Sequence, residues 1–485
     1  MTDWSRELDH VRRIIRQGRT QEARAALDAL RETGIVPADE QWRVHELYGA
    51  VFHDVADAEG AAAAYSNAAR TDKYLRSQRE HFSNVLFALH YLPDISAADL
   101  FGQHRIYAEL GRDAEQLPAC APFRHERLRV GFLSPDFRDS SSARFYECLL
   151  TGLVRRFAVY AYALEDDEDA FTRRIRDAGL KFRCLAGKNL RQMAQSIRDD
   201  EIDVLMDLGG HSDGGLSLMV MAQRPARVQL CGIGWFDTTG LPAVDFFLTD
   251  DIMAPAGAEQ FFVETLLRLP QAFCFSPTDA MRKIRRQKRQ AGSIVFGSLQ
   301  NVMKINRQVL DAWRRILQDV PDSRLVVQDT TRLPERLAAV RKRLARAGLP
   351  MERVDVRLGS NRYLEDYGQI DIMLDTFPYT GGAAAAAALY MGVPVAALRG
   401  DHHSARLSAS ILTAAGHPKW IAEDCDGYIQ LAGKLAADPA RLETMQLCLR
   451  EELEASPLLD EESYVENFAQ AIVRLAGTAR AVQSV

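Results

Sequence analysis

To about residue 117 the chain carries alanine, leucine and charged residues at helical spacing, with few strand signals, and this pattern predicts helices throughout. Gly49, Ala61 and Ala68 are small positions that let two helices approach closely, while Phe52 and Tyr65 fill the groove between them. Gly18, Ala23 and Leu27 form a weaker copy upstream. Leu92-Pro93-Asp94-Ile95 and Leu117-Pro118-Ala119-Cys120-Ala121-Pro122 break the pattern and predict a linker.

From Leu128 the period changes. Short apolar runs alternate with amphipathic segments at 128–133, 158–164, 204–208 and 228–233, which predicts a parallel sheet covered on both faces. The set ends near Phe275-Ser276-Pro277. A basic stretch follows, with Arg282, Lys283, Arg285, Arg286, Lys288 and Arg289, and reads as a solvated linker. A second alternating set runs through 294–297, 325–327, 354–358, 372–375 and 393–398. Tyr464, Phe468 and Ile472 stand four apart on a final helix, one apolar stripe able to pack across the first lobe. The expected class is therefore α/β. A helical segment (1–120) precedes an N-terminal Rossmann-like lobe (126–280) on the acceptor side and a C-terminal one (290–485) on the nucleotide side, whose last helix returns to the first lobe. Two such lobes place a ligand at the carboxyl ends of their strands, in the cleft between them. Fold alone does not choose among transferases, epimerases and phosphorylases.

Composition narrows the field. A chain of 485 residues suits about three domains. A net charge of −6 gives no electrostatic argument for nucleic acid or a membrane surface. Met1-Thr2-Asp3-Trp4-Ser5 lacks a secretory leader's pattern, and no apolar run reaches the ~20 residues of a span. The seven cysteines are dispersed without metal-ligand spacing, which predicts buried free thiols, no metal site and a reducing, cytoplasmic setting.

The chemistry concentrates at Leu374-Asp375-Thr376-Phe377-Pro378-Tyr379-Thr380-Gly381-Gly382, followed by alanines 383–388 and Leu389-Tyr390-Met391-Gly392. A strand ends, Pro378 and two glycines turn the chain, and a helix starts. The first amides of a helix lack internal acceptors and lie at the positive end of its dipole, so Thr380, Gly381, Gly382, Ala383 and Ala384 are candidates for holding a diphosphate. Packing of the small alanines against the sheet explains the same run without a ligand.

These segments resemble the bacterial O-GlcNAc transferase/SPINDLY-like protein glycosyltransferases, and the helical segment matches the small and aromatic positions of a short tetratricopeptide repeat. The turn just described is similar to that family's diphosphate-binding signature. Arg129-Val130-Gly131-Phe132-Leu133-Ser134-Pro135-Asp136-Phe137-Arg138 resembles its opening strand and loop, and Asp207-Leu208-Gly209-Gly210-His211-Ser212 its glycine-histidine turn. Gly234-Trp235-Phe236-Asp237-Thr238-Thr239-Gly240-Leu241 resembles its Gly-Tyr-Pro-x-Thr-Thr-Gly turn. Phe296-Gly297-Ser298 with Lys304-Ile305-Asn306 resembles its nucleotide-clasping loop, and Ser404-Ala405-Arg406-Leu407 the segment after the diphosphate helix.

The resemblance implies a GT-B fold and an inverting, metal-independent transfer from a nucleotide sugar, expected to be a UDP-sugar used as co-substrate with no bound cofactor. The acceptor is a protein side chain, a Ser/Thr hydroxyl ahead of an Asn amide. Lys304 corresponds to the lysine that stabilises the departing diphosphate, and Asn301 to a residue contacting the nucleotide. His211 is either a proton-accepting group or a turn-stabilising histidine. Asp237, grouped with the catalytic candidates, is expected in the same cleft as Asp136, Thr238 and Thr239, on the sugar and acceptor side. Neither nucleic acid nor a membrane span is expected, and homo-oligomerisation is left open. Two departures stand out: Ser140 and Arg144 occupy positions where the family usually has histidines, and Ala383, Ala384, Ala385 and Ala387 replace threonines and an acidic residue. A degenerate transferase retained as a scaffold, or a protein N-glucosyltransferase, remains an alternative reading.

Overall fold

The computed structural model describes residues 3–110, 116–119, 125–287 and 292–481, the side chains as far as 477. Cys120, Ala121 and Pro122 of the expected linker, and Lys288 and Arg289 of the basic stretch, lie outside the described residues. The chain forms two compact units. One comprises Met1–Ser96, Asp279–Leu412 and His417–Glu452, and the other Ala97–Thr278, Thr413–Gly416 and Leu453–Val485.

The first of these units opens with helices α1 (Asp3–Arg16), α2 (Thr20–Thr33), α3 (Gln41–Asp54), α4 (Ala58–Thr71) and α5 (Leu75–Leu89). Leu8, Val11 and Ile14 of α1 pack with Ala23, Leu27 and Leu30 of α2 and with Val44 and Leu47 of α3 in one apolar cluster. The small positions do the work their spacing predicts. A Cβ on Gly49 would lie 2.5 Å from the Tyr65 ring, and one on Gly60 would lie 2.7 Å from that of Phe52. Gly49→Leu should therefore cost on the order of 2–3 kcal/mol through overpacking, read as a lower urea midpoint. Asp57 caps α4 by accepting from Gly60 N at 2.9 Å.

The same unit holds a six-stranded sheet of β8 (Val295–Leu299), β9 (Arg324–Gln328), β10 (Val354–Arg357), β11 (Ile372–Leu374), β12 (Val395–Leu398) and β13 (Ile421–Ala422). The order is β10-β9-β8-β11-β12-β13, with every pair parallel. The other unit contains α6 (Ala97–Leu110) and a parallel seven-stranded sheet. Its strands are β1 (Arg129–Ser134), β2 (Ala158–Ala163), β3 (Lys181–Cys184), β4 (Val204–Asp207), β5 (Val228–Cys231), β6 (Phe246–Thr249) and β7 (Thr265–Arg268), ordered β3-β2-β1-β4-β5-β6-β7. Val130 of β1 pairs with Val159 on one side and Val204 on the other. In each sheet the strand order reverses beside a central strand, between β1 and β4 and between β8 and β11. Loops leaving the carboxyl ends of two such neighbours diverge and open a crevice, the usual ligand position in sheets of this kind.

The final helix (Glu461–Ala481) belongs to the unit of the seven-stranded sheet. Its Tyr464 hydroxyl donates to the Ala272 carbonyl at 2.8 Å, and the Phe468 ring stacks 6.3 Å from that of Phe132. The division between the units falls at Ser96, and α6 lies in the unit of the seven-stranded sheet, where its His104 and Tyr107 rings stand 5.3 Å and 4.5 Å from that of His211. The basic stretch is not uniformly solvated. Arg286 is half-buried, donates to the carbonyls of Tyr367 (2.9 Å) and Ile370 (2.7 Å), and pairs with Asp371 at 3.8 Å. The thiols divide likewise: Cys148, Cys231 and Cys274 are buried, but Cys184 and Cys448 are exposed. Among the described residues no helix is long and apolar enough to cross a membrane, and no cluster of three His, Cys, Asp or Glu could hold a metal.

Candidate functional site

The β8–β11 crevice is built from two loops. After β8, Asn301 accepts from Met303 N at 3.0 Å and starts the short turn Val302–Lys304. After β11, residues 375–382 lead into the helix Ala383–Tyr390. Lys304 joins the loops: its Nζ donates to the Thr380 carbonyl at 2.7 Å and lies 4.0 Å from the centre of the Tyr379 ring. Asn306 makes a second tie, donating to the Phe377 carbonyl at 2.6 Å while its Oδ1 caps the helix Arg307–Asp319. Burial pulls the Lys304 ammonium down to about 8, with the Asp375 carboxylate opposing. Burial likewise raises Asp375, against hydrogen bonds from Ser408 and the charge of Lys304. The strand end itself is fixed from below: Trp313 donates to the Tyr428 hydroxyl at 3.3 Å, which donates to the Asp375 carbonyl at 2.8 Å.

The glycine turn is tighter than the sequence suggested. A Cβ at Gly381 would lie 2.6 Å from Asp375 Oδ1, so only glycine fits there. Gly382, at φ +55°, caps the following helix without a side chain. Its N–H reaches Ser408 Oγ at 3.3 Å, the Gly381 N–H turns to the Asp375 carboxylate, and the Ala384 N–H bonds the Gly381 carbonyl at 3.2 Å. The expectation of unengaged amides along this turn is thus corrected, since the inward fold of the glycines supplies acceptors to all but Ala383. Thr380 is also turned inward, its hydroxyl donating to the Ser404 carbonyl (3.3 Å) and accepting from Ser408 N (3.1 Å). Ala383 and Ala384 are half-buried at the open end of the helix, whereas Ala385 to Tyr390 are buried against the sheet. Asn301 Oδ1 takes a further hydrogen bond from Arg336, leaving its amide nitrogen as the end without a partner among the described residues.

The β1–β4 crevice in the other unit presents Asp136 and the glycine-histidine turn. Asp136 is half-buried, with its carboxylate paired to Arg138. The Asp207 carboxyl at the end of β4 accepts from Gly209 N (2.8 Å) and Gly210 N (2.9 Å) and is pushed up by its burial. These bonds fold the turn that carries His211. Its Nε2 lies 2.9 Å from the Thr239 carbonyl, an acceptor only, so that nitrogen carries the hydrogen. Rings of Tyr107 (4.5 Å), Trp235 (5.0 Å) and His104 (5.3 Å) surround it, and the residue is 0% exposed. The imidazole is thus enclosed and tied to the Thr238-Thr239 turn.

Thr238 and Thr239 do not face an open cleft. Thr238 Oγ1 donates to Glu264 Oε2 at 2.6 Å, and Thr239 donates to Oε1 through its hydroxyl and, at 2.7 Å, its N–H. Asp237 beside them is buried. Glu264 itself escaped the sequence reading because it stands alone ahead of a short edge strand, outside every motif. Ser140 Oγ accepts from Ala143 N at 3.3 Å, in the turn ahead of the helix Ala143–Gly152. Arg144 is buried and paired at 3.2 Å with both Asp139 and Glu147. At the two positions that depart from the family pattern, then, the side chains present here serve local structure.

A model of glycosyl transferase family 41 matches residues 108–289 and 276–468, most of the chain. The chain belongs to that family. Among family 41 relatives, a protein of Arabidopsis thaliana described as a probable UDP-N-acetylglucosamine–peptide N-acetylglucosaminyltransferase SPINDLY is 36% identical over 358 residues, covering 71% of this chain and 39% of the relative. The protein of the same description from Petunia hybrida is 34% identical over 401 residues, covering 79% and 43%. The chain therefore spans about two fifths of the length of these relatives. A solved structure of a mutant O-GlcNAc transferase from Thermobaculum terrenum matches with a TM-score of 0.79 at 25% identity, over 100% of both chains. The GT-B class and the family resemblance read from the sequence both hold.

Proposed function

We propose that this chain transfers a sugar from a UDP-sugar to a Ser or Thr hydroxyl of a protein acceptor, with inversion at the anomeric carbon and without a metal. The observation that carries this reading is Lys304, whose ammonium spans the β8–β11 crevice and ends at the glycine turn before the helix Ala383–Tyr390. In such a transfer the acceptor oxygen bonds the anomeric carbon as the bond to the diphosphate breaks. The electron pair leaves with the diphosphate and the hydroxyl proton is released. Charge therefore develops on the leaving group, where a fixed ammonium and the dipole of a helix N-terminus stabilise it best. Asn301 offers its amide nitrogen to the nucleotide. The names of the relatives support a protein acceptor and a UDP-linked sugar.

Thermal-shift titration with UDP and GDP tests donor binding, and mass spectrometry of candidate proteins co-expressed with the chain tests transfer, fragmentation separating O-linked from N-linked sugar. Ala383→Thr and Ala384→Thr place hydroxyls at the half-buried start of the helix. Each should tighten UDP binding by about three- to tenfold, a gain of ~1 kcal/mol for one net new hydrogen bond. Unchanged affinity would mean that the diphosphate lies elsewhere. The alanine run also favours a second reading, a family member that has lost turnover and serves as a scaffold; absence of any response to either nucleotide would select it.

A further inference from the structure

Two arginines on one helix link the repeat helices to the loop that carries Lys304. The helix Pro334–Arg346 lies in the same compact unit as α1–α5. Arg336, 1% exposed, pairs with Asp329 at 2.8 Å, donates to the His53 carbonyl at the end of α3 at 3.0 Å, and donates to Asn301 Oδ1. About two helical turns further on, Arg343 donates to the Ala56 carbonyl at 2.6 Å and to the Val302 carbonyl at 3.0 Å. Each guanidinium thus has one contact on the α3–α4 turn and one on the Asn301–Lys304 loop. The planar fork of donors on arginine suits such two-sided bridging.

The α3–α4 turn is shaped for this contact. Ala56 is fully buried at φ +58°, a left-handed conformation that costs a non-glycine residue about 1 kcal/mol. That conformation is held by Asp57 N bonding back to the Phe52 carbonyl at 2.9 Å and by the Arg343 bond to the Ala56 carbonyl. The Asp57 carboxylate adds its charge near Arg343, opposing the burial that lowers that guanidinium. A separate aromatic path runs from the end of α5: the Tyr91 ring lies 5.3 Å from that of Tyr379, over which the Lys304 ammonium sits at 4.0 Å.

We propose that Arg336 and Arg343 are positioning residues through which the α3–α4 turn sets the conformation of the Asn301–Lys304 loop, so that the repeat helices govern affinity for the nucleoside diphosphate. The inference rests on the reading of that loop as the diphosphate site. Neither arginine need touch the ligand. Their contribution is to fix Asn301 and Val302, and with them Lys304, before it arrives.

Calorimetric titration of UDP into the full chain tests this, with Arg343→Gln, Arg343→Lys and Asp57→Asn beside the wild type. Arg343→Gln should weaken UDP by about five- to tenfold and raise the donor KM to match, with acceptor KM unchanged, as expected for loss of charge-assisted hydrogen bonds. Arg343→Lys, which keeps the charge, should recover most of the affinity. Asp57→Asn retains the cap of α4, asparagine being as good an N-cap as aspartate, and should weaken UDP by about two- to threefold. A folded Arg343→Gln protein that binds UDP like the wild type, even with a lowered melting temperature, would reduce Arg343 to a brace of the fold and overturn the inference. If that variant does not fold, wild-type affinity in Asp57→Asn overturns it. A wild type that binds neither UDP nor GDP refutes the diphosphate reading itself, a result distinct from either of these.

Discussion

Replacing Lys304 by methionine should reduce sugar transfer by about 10²–10³-fold, the range found when one donor to a developing negative charge is removed. The folded protein should be no less stable for it. Burial lowers the Lys304 ammonium to about 8, so the folded state disfavours its charged form. For a lysine depressed in this way, the folded protein binds fewer protons than the unfolded chain. The destabilisation is complete below pH 8 and fades as pH rises toward the ordinary lysine value near 10.4. The stability advantage of Lys304→Met over the wild type should therefore shrink between pH 8 and pH 10, measured by urea denaturation. Binding runs the opposite way. On the proposed reading the diphosphate is held by the ammonium, so UDP affinity of the wild type should fall as pH rises through about 8. In Lys304→Arg the guanidinium stays charged and that alkaline limb should vanish from a calorimetric titration.

Glu264→Ala should destabilise the unit of the seven-stranded sheet by about 3–5 kcal/mol. The carboxylate accepts from the Thr238 hydroxyl, the Thr239 hydroxyl and the Thr239 N–H, all buried. Alanine would leave three donors without acceptors in a place water does not reach, at about 1–3 kcal/mol each with partial relaxation. The damage should extend to His211, because the Thr239 carbonyl that holds its Nε2 belongs to the same turn. Glu264→Gln, with one oxygen still able to accept, should fall between. Burial raises Glu264, against the threonine hydrogen bonds. With its folded-state pKa above the unfolded one, its contribution is greatest at acid pH and declines as pH rises through the raised value. Guanidinium denaturation at pH 5 and pH 8 measures both effects.

Much of this was legible in the sequence because buried parallel strands are continuous apolar runs. Val204-Leu205-Met206 and Ile372-Met373-Leu374 have no polar face to hide, and both are central strands. The edge strands β3 and β7 were not legible for the complementary reason. Lys181-Phe182-Arg183-Cys184 and Thr265-Leu266-Leu267-Arg268 are partly exposed and polar, so nothing in their pattern separates them from loop. Gly381 and Gly382 were recognisable as a turn, but that their amides fold back on Asp375 and Ser408 depends on a side chain 26 residues downstream of Gly382 and on a strand end, contacts that spacing does not reveal. Lys304 was found through its motif. Arg336 and Arg343 were invisible, being two among many basic residues on an amphipathic helix, distinguished only by what they reach.

Both compact units are assembled from separated stretches of chain, and this has a consequence for biosynthesis. The helices before Ser96 leave the ribosome well ahead of the sheet they share a unit with, since all of Ala97–Thr278 is translated in between, on the order of 10–40 s at ordinary elongation rates. The seven-stranded sheet waits longer still, for Phe468 to cover Phe132 only once translation has passed Leu453. A nascent chain halted near residue 280 would therefore expose apolar surface from both units at once, and should be held by chaperones rather than released as an independently folded half.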